Sequence, residues 1–166
     1  MIRQTGFLAS LMLIVLLAHP ASAQEKIDSA AVYKHGLGVA AGFTTGYGLS
    51  YRNWSDHFGL QFTFAPYMDD RETTLSFGGT FLYNFIQAGD VNFFAYQGNH
   101  LRYRNFKYPN SSPNDEGLIY NTGVGMGLEF PLFIKRLRFN VMVGYGAYNN
   151  FTELNITGEG GVFFRF

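Results

Sequence analysis

The chain has 166 residues, and its 12 Lys and Arg balance its 12 Asp and Glu, so the charge does not predict a nucleic-acid partner. Charged residues make up 14% of the chain, well below the roughly 25% of ordinary soluble domains, while aromatic residues reach 18% and glycines number 20. There is no cysteine, which excludes disulfides, thiolate metal sites and a cysteine nucleophile. The composition favours a single β-rich domain over a helical membrane protein or a typical cytosolic enzyme.

Residues 1–23 have the pattern of a secretory signal peptide. Arg3 precedes an unbroken apolar run over residues 7–18, and an A-x-A cleavage pattern ends at Ala23. The apolar run is too short to cross roughly 30 Å of hydrocarbon, which argues against a membrane anchor. We expect cleavage after Ala23, followed by a periplasmic lead-in over residues 24–35.

From residue 36 onward, apolar and small or polar residues alternate with a period of two, and no later stretch of helix length shows a 3.6-residue period. Turn-forming residues punctuate this alternation. In Leu137–Tyr148, the clearest strand, Phe139, Val141 and Val143 share one face. Eight strands are predicted, over residues 37–44, 47–52, 58–65, 74–85, 91–105, 120–130, 137–148 and 152–166.

The fifth predicted strand, Val91–Asn105, is the least regular. Its mainly apolar face also carries Gln97 and Asn99. We interpret these two polar residues as marking where the strand leaves a membrane.

The eight strands predict an all-β fold, a closed antiparallel up-and-down barrel over residues 36–166. An even number of strands puts both ends of the barrel sequence on one side, where the connecting turns are short. The longest connection, over residues 107–117, lies on the other side. This asymmetry is typical of bacterial outer-membrane barrels.

The contents of the two faces distinguish a membrane barrel from a soluble one. One face of each strand is long, apolar and free of charge, and the other carries Gly, Ser, Thr and Asn with scattered Arg and Glu. A charge facing lipid would cost roughly 2–4 kcal/mol at the midplane, which explains this exclusion. We therefore expect apolar side chains to face lipid and small polar ones to fill the lumen. The alternative is a soluble periplasmic β-barrel that binds a hydrophobic ligand.

The signal peptide, the aromatic- and glycine-rich strands and the final "GGVFFRF" resemble the small outer-membrane β-barrel proteins of the OmpA-like and OmpX-like superfamily. The stretch "GFTTGYGLSYRNW" and a mature start at "QE" resemble its Bacteroidetes-type members. The resemblance covers residues 36–166. It implies a protein of the Gram-negative outer membrane, in contact with the bilayer and lipopolysaccharide.

The resemblance also implies that the last strand carries a signal for the outer-membrane β-barrel assembly machinery. The matching positions are Phe166 as the terminal aromatic residue, with Phe164 and Val162 at the alternating positions before it. A physical argument agrees, because the last strand has an open edge until the barrel closes and can be recognised by strand addition.

The lumen of an eight-stranded barrel is just wide enough to be filled by side chains, so a general diffusion pore is not expected. Unpaired charges in so narrow a space would be costly, and we expect a paired network that plugs the barrel. The alternative is a narrow or gated conduction path. The predicted network consists of Arg52, His100, Arg102, Arg104, Glu129, Arg138, Glu153, Glu159 and Arg165.

An enzyme is the sharper alternative, since two families of eight-stranded barrels remove or add an acyl chain on lipid A. Such chemistry needs a serine activated by a histidine. His100 is the one histidine on a predicted strand, but Arg102 follows it in place of the serine of the H-x-S arrangement. We therefore predict no catalytic residue, and no metal or cofactor site, because no two histidines share strand spacing.

The loop over residues 107–117 is rich in turn-forming residues. We expect a solvated loop, and the functional alternative is a contact surface for an extracellular partner. The sequence thus predicts a monomeric integral outer-membrane barrel with a structural or cell-surface interaction role.

Overall fold

The structure, a computed structural model, describes residues 34–70, 72–106 and 117–166. Within these residues the chain forms eight strands whose alternating side chains follow the period of two in the sequence. No helix in this part of the chain is long and apolar enough to cross a membrane. The strands are β1 (His35–Ala41), β2 (Gly48–Ser55), β3 (Phe58–Met68), β4 (Glu72–Ala88), β5 (Val91–Phe106), β6 (Gly117–Pro131), β7 (Leu137–Tyr148) and β8 (Glu153–Arg165).

The strands form one closed barrel in sequence order. Each strand pairs antiparallel with the next, and β8 pairs antiparallel with β1, where Leu37 lies opposite Phe164 and Val39 opposite Val162. Closure leaves no strand edge unpaired, so the backbone groups of the barrel wall are satisfied internally. The predicted fold class, a closed antiparallel eight-stranded β-barrel, is confirmed.

The barrel begins one residue earlier than expected. His35, expected to be the last residue of the lead-in, is the first residue of β1, and its backbone exchanges hydrogen bonds with Phe166 at 3.2 and 2.9 Å. These bonds extend the β1–β8 seam to its end. The predicted signal peptide and the lead-in up to residue 33 lie outside the described residues.

The outward and inward faces carry the inverted arrangement expected from the sequence. On β7, Val141 and Val143 point outward with 46% and 59% of their surface exposed. Asn140 and Met142, at the alternate positions, are buried in the lumen. A packed soluble core would bury the valines instead. Each of the other seven strands likewise exposes large apolar side chains. One example from each is Leu37, Leu49, Phe62, Phe77, Leu101, Met126 and Ile156.

The two ends of the barrel differ in their connections. The end where β1 begins, called here the short-turn end, has two-residue turns at Asp56–His57 and Gly89–Asp90 and a five-residue turn over residues 132–136. Asp56 and Gly89 adopt φ values of 50° and 60°, as tight hairpin turns require. The strand ends that flank residues 42–47, 69–71, 107–116 and 149–152 lie at the opposite end, called here the loop end.

The first strand is shorter than the sequence predicts. The alternation in the sequence continues to Thr44, but β1 leaves the sheet after Ala41 and the chain turns into the barrel. Gly46 and Gly48 adopt φ values of 82° and 124°, which allow this turn and the return to β2. In residues 42–47, called here the inward loop, Thr44, Thr45 and Gly46 are therefore buried in the lumen, while the Phe43 ring stays exposed.

We predict that Val143→Arg lowers the free energy of unfolding from lipid vesicles by about 2–4 kcal/mol, because Val143 faces outward halfway along β7 and would place a charge in hydrocarbon. Urea unfolding in vesicles measures the change. The matched control is Phe133→Arg in the 132–136 turn, where the side chain lies at the rim and the effect should be close to zero. Equal effects of the two substitutions would contradict a lipid-facing outer surface.

Candidate functional site

The lumen near the short-turn end contains one carboxylate surrounded by three guanidinium groups. Glu129 on β6 is fully buried, and its Oε2 lies 2.5 Å from Arg52 Nη1. Its Oε1 accepts hydrogen bonds from Arg138 Nε at 3.2 Å and from Arg165 Nη2. Four residues from strands β2, β6, β7 and β8 thus meet at one point, and we call them the Glu129 cluster.

Further groups hold the Glu129 cluster in place. Arg52 Nε donates to Gln61 Oε1 at 3.0 Å, and its guanidinium lies 4.1 Å from the ring centroid of Phe163. Arg138 Nη2 donates to the backbone carbonyl of Asp90 in the β4–β5 turn. Every arginine of the cluster has a partner, as buried guanidinium groups require. With these contacts the cluster joins β2, β3, β6, β7, β8 and the β4–β5 turn across the lumen.

The remaining predicted charges do not join this cluster. Arg102 and Arg104 lie half-buried on the inward face of β5 near the loop end, and neither forms an ion pair within the described residues. Glu153 is exposed at the start of β8 and accepts a hydrogen bond from Asn149 Nδ2 at 2.9 Å. The structure thus places these three residues near the rim of the loop end, away from Glu129.

A second network forms where the inward loop meets the barrel wall. Glu159 on β8 is buried, and its Oε1 accepts hydrogen bonds from the Thr44 backbone N–H at 3.1 Å, from Thr44 Oγ1 and from Thr157 Oγ1 at 2.9 Å. Thr44 and Thr45 are completely buried. A carboxylate predicted to pair with arginine therefore binds backbone and hydroxyl donors of the inward loop.

His100 fixes the other side of the same loop. Its Nδ1 lies 2.9 Å from the carbonyl oxygen of Phe43, which also accepts from Asn121 Nδ2 at 3.1 Å. A carbonyl can only accept, so Nδ1 carries a proton, and in a neutral ring Nε2 accepts from Ser76 Oγ at 2.9 Å. The Tyr47 backbone N–H approaches Ser76 Oγ at 3.4 Å.

Glycines make room for the inward loop. A Cβ added at Gly78 would lie 1.9 Å from the Thr45 carbonyl oxygen, and one at Gly98 would lie 2.6 Å from that of Thr44. Side chains at Gly123 and Gly146 would meet Thr44 at 2.7 Å. Four consecutive strands, β4 to β7, thus contribute one glycine each to the seat of this loop. The close contact with the loop therefore explains why these four inward positions are glycine.

The lumen is occupied at both levels, by the Glu129 cluster towards the short-turn end and by the inward loop towards the loop end. A cluster of buried apolar side chains also fills the interior. This arrangement can hold the barrel wall rigid and exclude solutes. The members of the apolar cluster are Trp54, Leu82, Phe94, Tyr96 and Met142.

Sequence reasoning missed the partners of both networks. Gln61, Thr44 and Ser76 are uncharged residues on inward positions, and the sequence offers no signal that separates them from other small polar residues. The H-x-S pattern places a serine two residues after the histidine in the same strand, whereas Ser76 reaches His100 from the neighbouring strand β4. No group of three or more His, Asp or Glu that could hold a metal occurs among residues 34–70, 72–106 and 117–166.

The residues expected to carry the assembly signal lie along the closing seam. Phe164 points outward, Val162 is half-buried on the same face, and Phe166 follows them with 54% of its surface exposed. The seam carries a shallow apolar groove on its outer side. This groove is lined by Leu37, Gly38, Val39, Leu49, Leu137, Val162 and Phe164.

Comparison with solved structures finds the same fold. The N-terminal β-barrel domain of Pseudomonas aeruginosa OprF is similar to this chain with a TM-score of 0.53 and 18% identity, over 80% of this chain and 94% of that one. Neisserial surface protein A gives 0.46 and 14%, over 80% and 93%, and the outer membrane enzyme PagL gives 0.37 and 16%, over 78% and 97%. No protein-family model and no curated protein matches the chain. The likeness to the OprF domain is therefore one of fold.

We predict that Glu129→Gln lowers the free energy of unfolding by about 3–5 kcal/mol, because the nearly isosteric amide leaves two buried and one half-buried guanidinium group without an anion. Urea unfolding of the refolded barrel measures the loss. Glu153→Gln removes the same charge from an exposed position and should change stability little. Similar effects of the two variants would show that the cluster does not hold the lumen together.

Proposed function

We propose that this chain is an integral outer-membrane β-barrel with a structural or cell-surface interaction role, whose lumen is plugged and conducts no solutes. The observation that carries the proposal is the inverted side-chain distribution, with apolar residues around the whole outer wall and charges confined to the lumen and the rims. A surface of this kind is stable in hydrocarbon and would aggregate in water.

The proposed orientation puts the short-turn end in the periplasm and the loop end outside the cell. Short periplasmic turns and longer extracellular connections are the usual arrangement in outer-membrane barrels. The connection between β5 and β6 would then be the longest extracellular loop and the expected contact surface for a partner. Residues 107–116 of that loop lie outside the described residues, and Gly117 begins β6.

The proposal predicts a folded, heat-modifiable barrel in the outer-membrane fraction that gives liposomes no permeability to small sugars. Gel mobility with and without boiling measures folding, and liposome swelling against a general porin measures permeability. Recovery of the chain in the soluble periplasm would favour the alternative barrel that binds a hydrophobic ligand. Swelling at a rate comparable to that of the porin would contradict the plugged lumen.

A lipid-modifying enzyme remains the second candidate because Ser76 Oγ and His100 Nε2 lie 2.9 Å apart, the separation that nucleophile activation needs. Two observations favour a structural role for the pair. Phe43 O, rather than a carboxylate, accepts from the other ring nitrogen, and the inward loop covers both side chains inside the lumen. Mass spectrometry can compare the acyl chains of lipid A from cells with and without the protein. Identical acyl chains would contradict the enzyme hypothesis.

We also propose that the assembly machinery recognises β8 through its outward face. Before closure, the edge of β8 that later pairs with β1 is open, and Val162, Phe164 and Phe166 alternate along its outward side. Strand addition to such an edge combines backbone hydrogen bonds with side-chain selection. The folded protein needs Phe166 for little packing, since its ring stacks on His35 at 5.9 Å and is otherwise half exposed.

Phe166→Ala should therefore lower the amount of folded protein in the outer membrane several-fold while changing the stability of the purified, refolded barrel little. The matched control is Phe58→Ala, since Phe58 is also an outward aromatic residue at the short-turn end and is 60% exposed. Heat-modifiable band intensity measures assembly. Equal membrane levels of the two variants would refute the assembly-signal proposal.

A further inference from the structure

Two amide side chains interrupt the apolar outer face of β5. Gln97 and Asn99 share this face with Phe93, Leu101 and Tyr103, which are all exposed, while the residues between them point into the lumen. On the neighbouring strand, Thr122 pairs with Asn99, and the hydroxyl of Tyr120 reaches Asn99 Oδ1 at 2.6 Å. We call Gln97, Asn99, Tyr120 and Thr122 the amide patch.

The amide patch lies inside the apolar band, whereas the sequence suggested that the strand leaves the membrane there. The strand continues to Phe106, and its outward apolar residues resume at Leu101 and Tyr103. From Phe93 to Tyr103, ten residues of a strand tilted by about 40° cover about 25 Å, which is the height of the apolar band of such barrels. Gln97 and Asn99 fall near the middle of that span, at a depth where water does not reach.

Hydrogen bonds within the patch leave one amide N–H and one amide oxygen lone pair unused. Gln97 Nε2 donates to Asn99 Oδ1 at 2.9 Å and lies 3.1 Å from Thr122 Oγ1, and Asn99 Nδ2 donates to Gln97 Oε1 at 2.9 Å. Among the described residues, these bonds use one of the two Asn99 amide hydrogens and one of the two Gln97 Oε1 lone pairs. The second Asn99 N–H and the second Gln97 lone pair have no partner among the described residues, and leaving them unpaired at this depth is costly.

A notch lies beside the patch. Gly79 on β4 pairs with Asn99, and a Cβ added there would meet nothing within 4 Å. Phe62, Phe77 and Phe81 surround the notch with large exposed rings. Small residues at such a point let another backbone or side chain approach closely within a membrane.

We propose that the amide patch is the centre of an interface with a second copy of this chain. A two-fold axis through the patch lets Asn99 of each copy donate its spare N–H to Gln97 of the other, so both unused groups are satisfied at once. Soluble partners cannot reach this depth, and hydrocarbon chains offer no hydrogen bonds. The inference rests on the proposed membrane location and replaces the monomer expected from the sequence.

The absence of cysteine in the sequence allows a matched test with single cysteines. Gly79→Cys places a thiol beside the patch, and Gly158→Cys places one on β8, at an equally open outward glycine four strands away. Treating native membranes with a short bis-maleimide should give cross-linked dimers from Gly79→Cys and none from Gly158→Cys. No dimer from Gly79→Cys, or equal amounts from both, would overturn the proposal.

A second variant tests the hydrogen bonds themselves. Replacing Gln97 and Asn99 by leucine in the Gly79→Cys protein keeps the outer face apolar and should lower the cross-linked fraction about tenfold, as expected for hydrogen bonds worth 1–2 kcal/mol in a membrane. Unchanged cross-linking would overturn the proposal. A folded monomer that binds a glycolipid at the amide patch would also overturn it. Heat-modifiable mobility separates these results from failure of the membrane proposal, which would show no folded barrel in the membrane at all.

Discussion

Closure of eight strands into one small barrel is the constraint on which the rest of this structure depends. Closure pairs every strand on both sides, so the backbone of the wall needs nothing from its surroundings. It also makes the interior too narrow for bulk solvent, so the inward side chains have to satisfy one another. Each strand therefore serves two environments with alternate residues, apolar outside and polar inside.

The two polar networks meet this constraint in different ways. In the Glu129 cluster, charges compensate one another directly, although three guanidinium groups share one carboxylate. Glu159 has no cation in contact within the described part of the chain, and its donors there are Thr44 and Thr157. The first arrangement ties strands together across the lumen, while the second ties a loop to the wall. The inward loop is therefore part of the core, and its glycine seat on β4 to β7 is as necessary as its hydrogen bonds.

The eight strands and the direction of their faces could be predicted because alternation is a local property of the sequence. The end of β1 could not, since Phe43 and Thr44 continue the alternation even though the chain has already turned inward. Convergence at Glu129 depends on how the strands are staggered around the closed wall, which no single strand encodes. The pairing of Ser76 with His100 likewise required the β4–β5 register. The inward charges could be predicted from the alternation, but only the three-dimensional register sorts them into partners.

The polar groups of the barrel lie in two different surroundings, the lumen and the outer wall. Arg52 in the lumen donates to both Gln61 and Glu129, and the carbonyl of Phe43 accepts from two side chains. Gln97 and Asn99 also bind each other, yet they lie on the face where alternation puts leucine and phenylalanine elsewhere. Inside the lumen, a polar residue is expected because the narrow space brings other polar side chains within hydrogen-bond distance. In the membrane location proposed above, the same residue type on the outer wall gains nothing from lipid, and this is the basis for the proposed contact with a second copy of this chain.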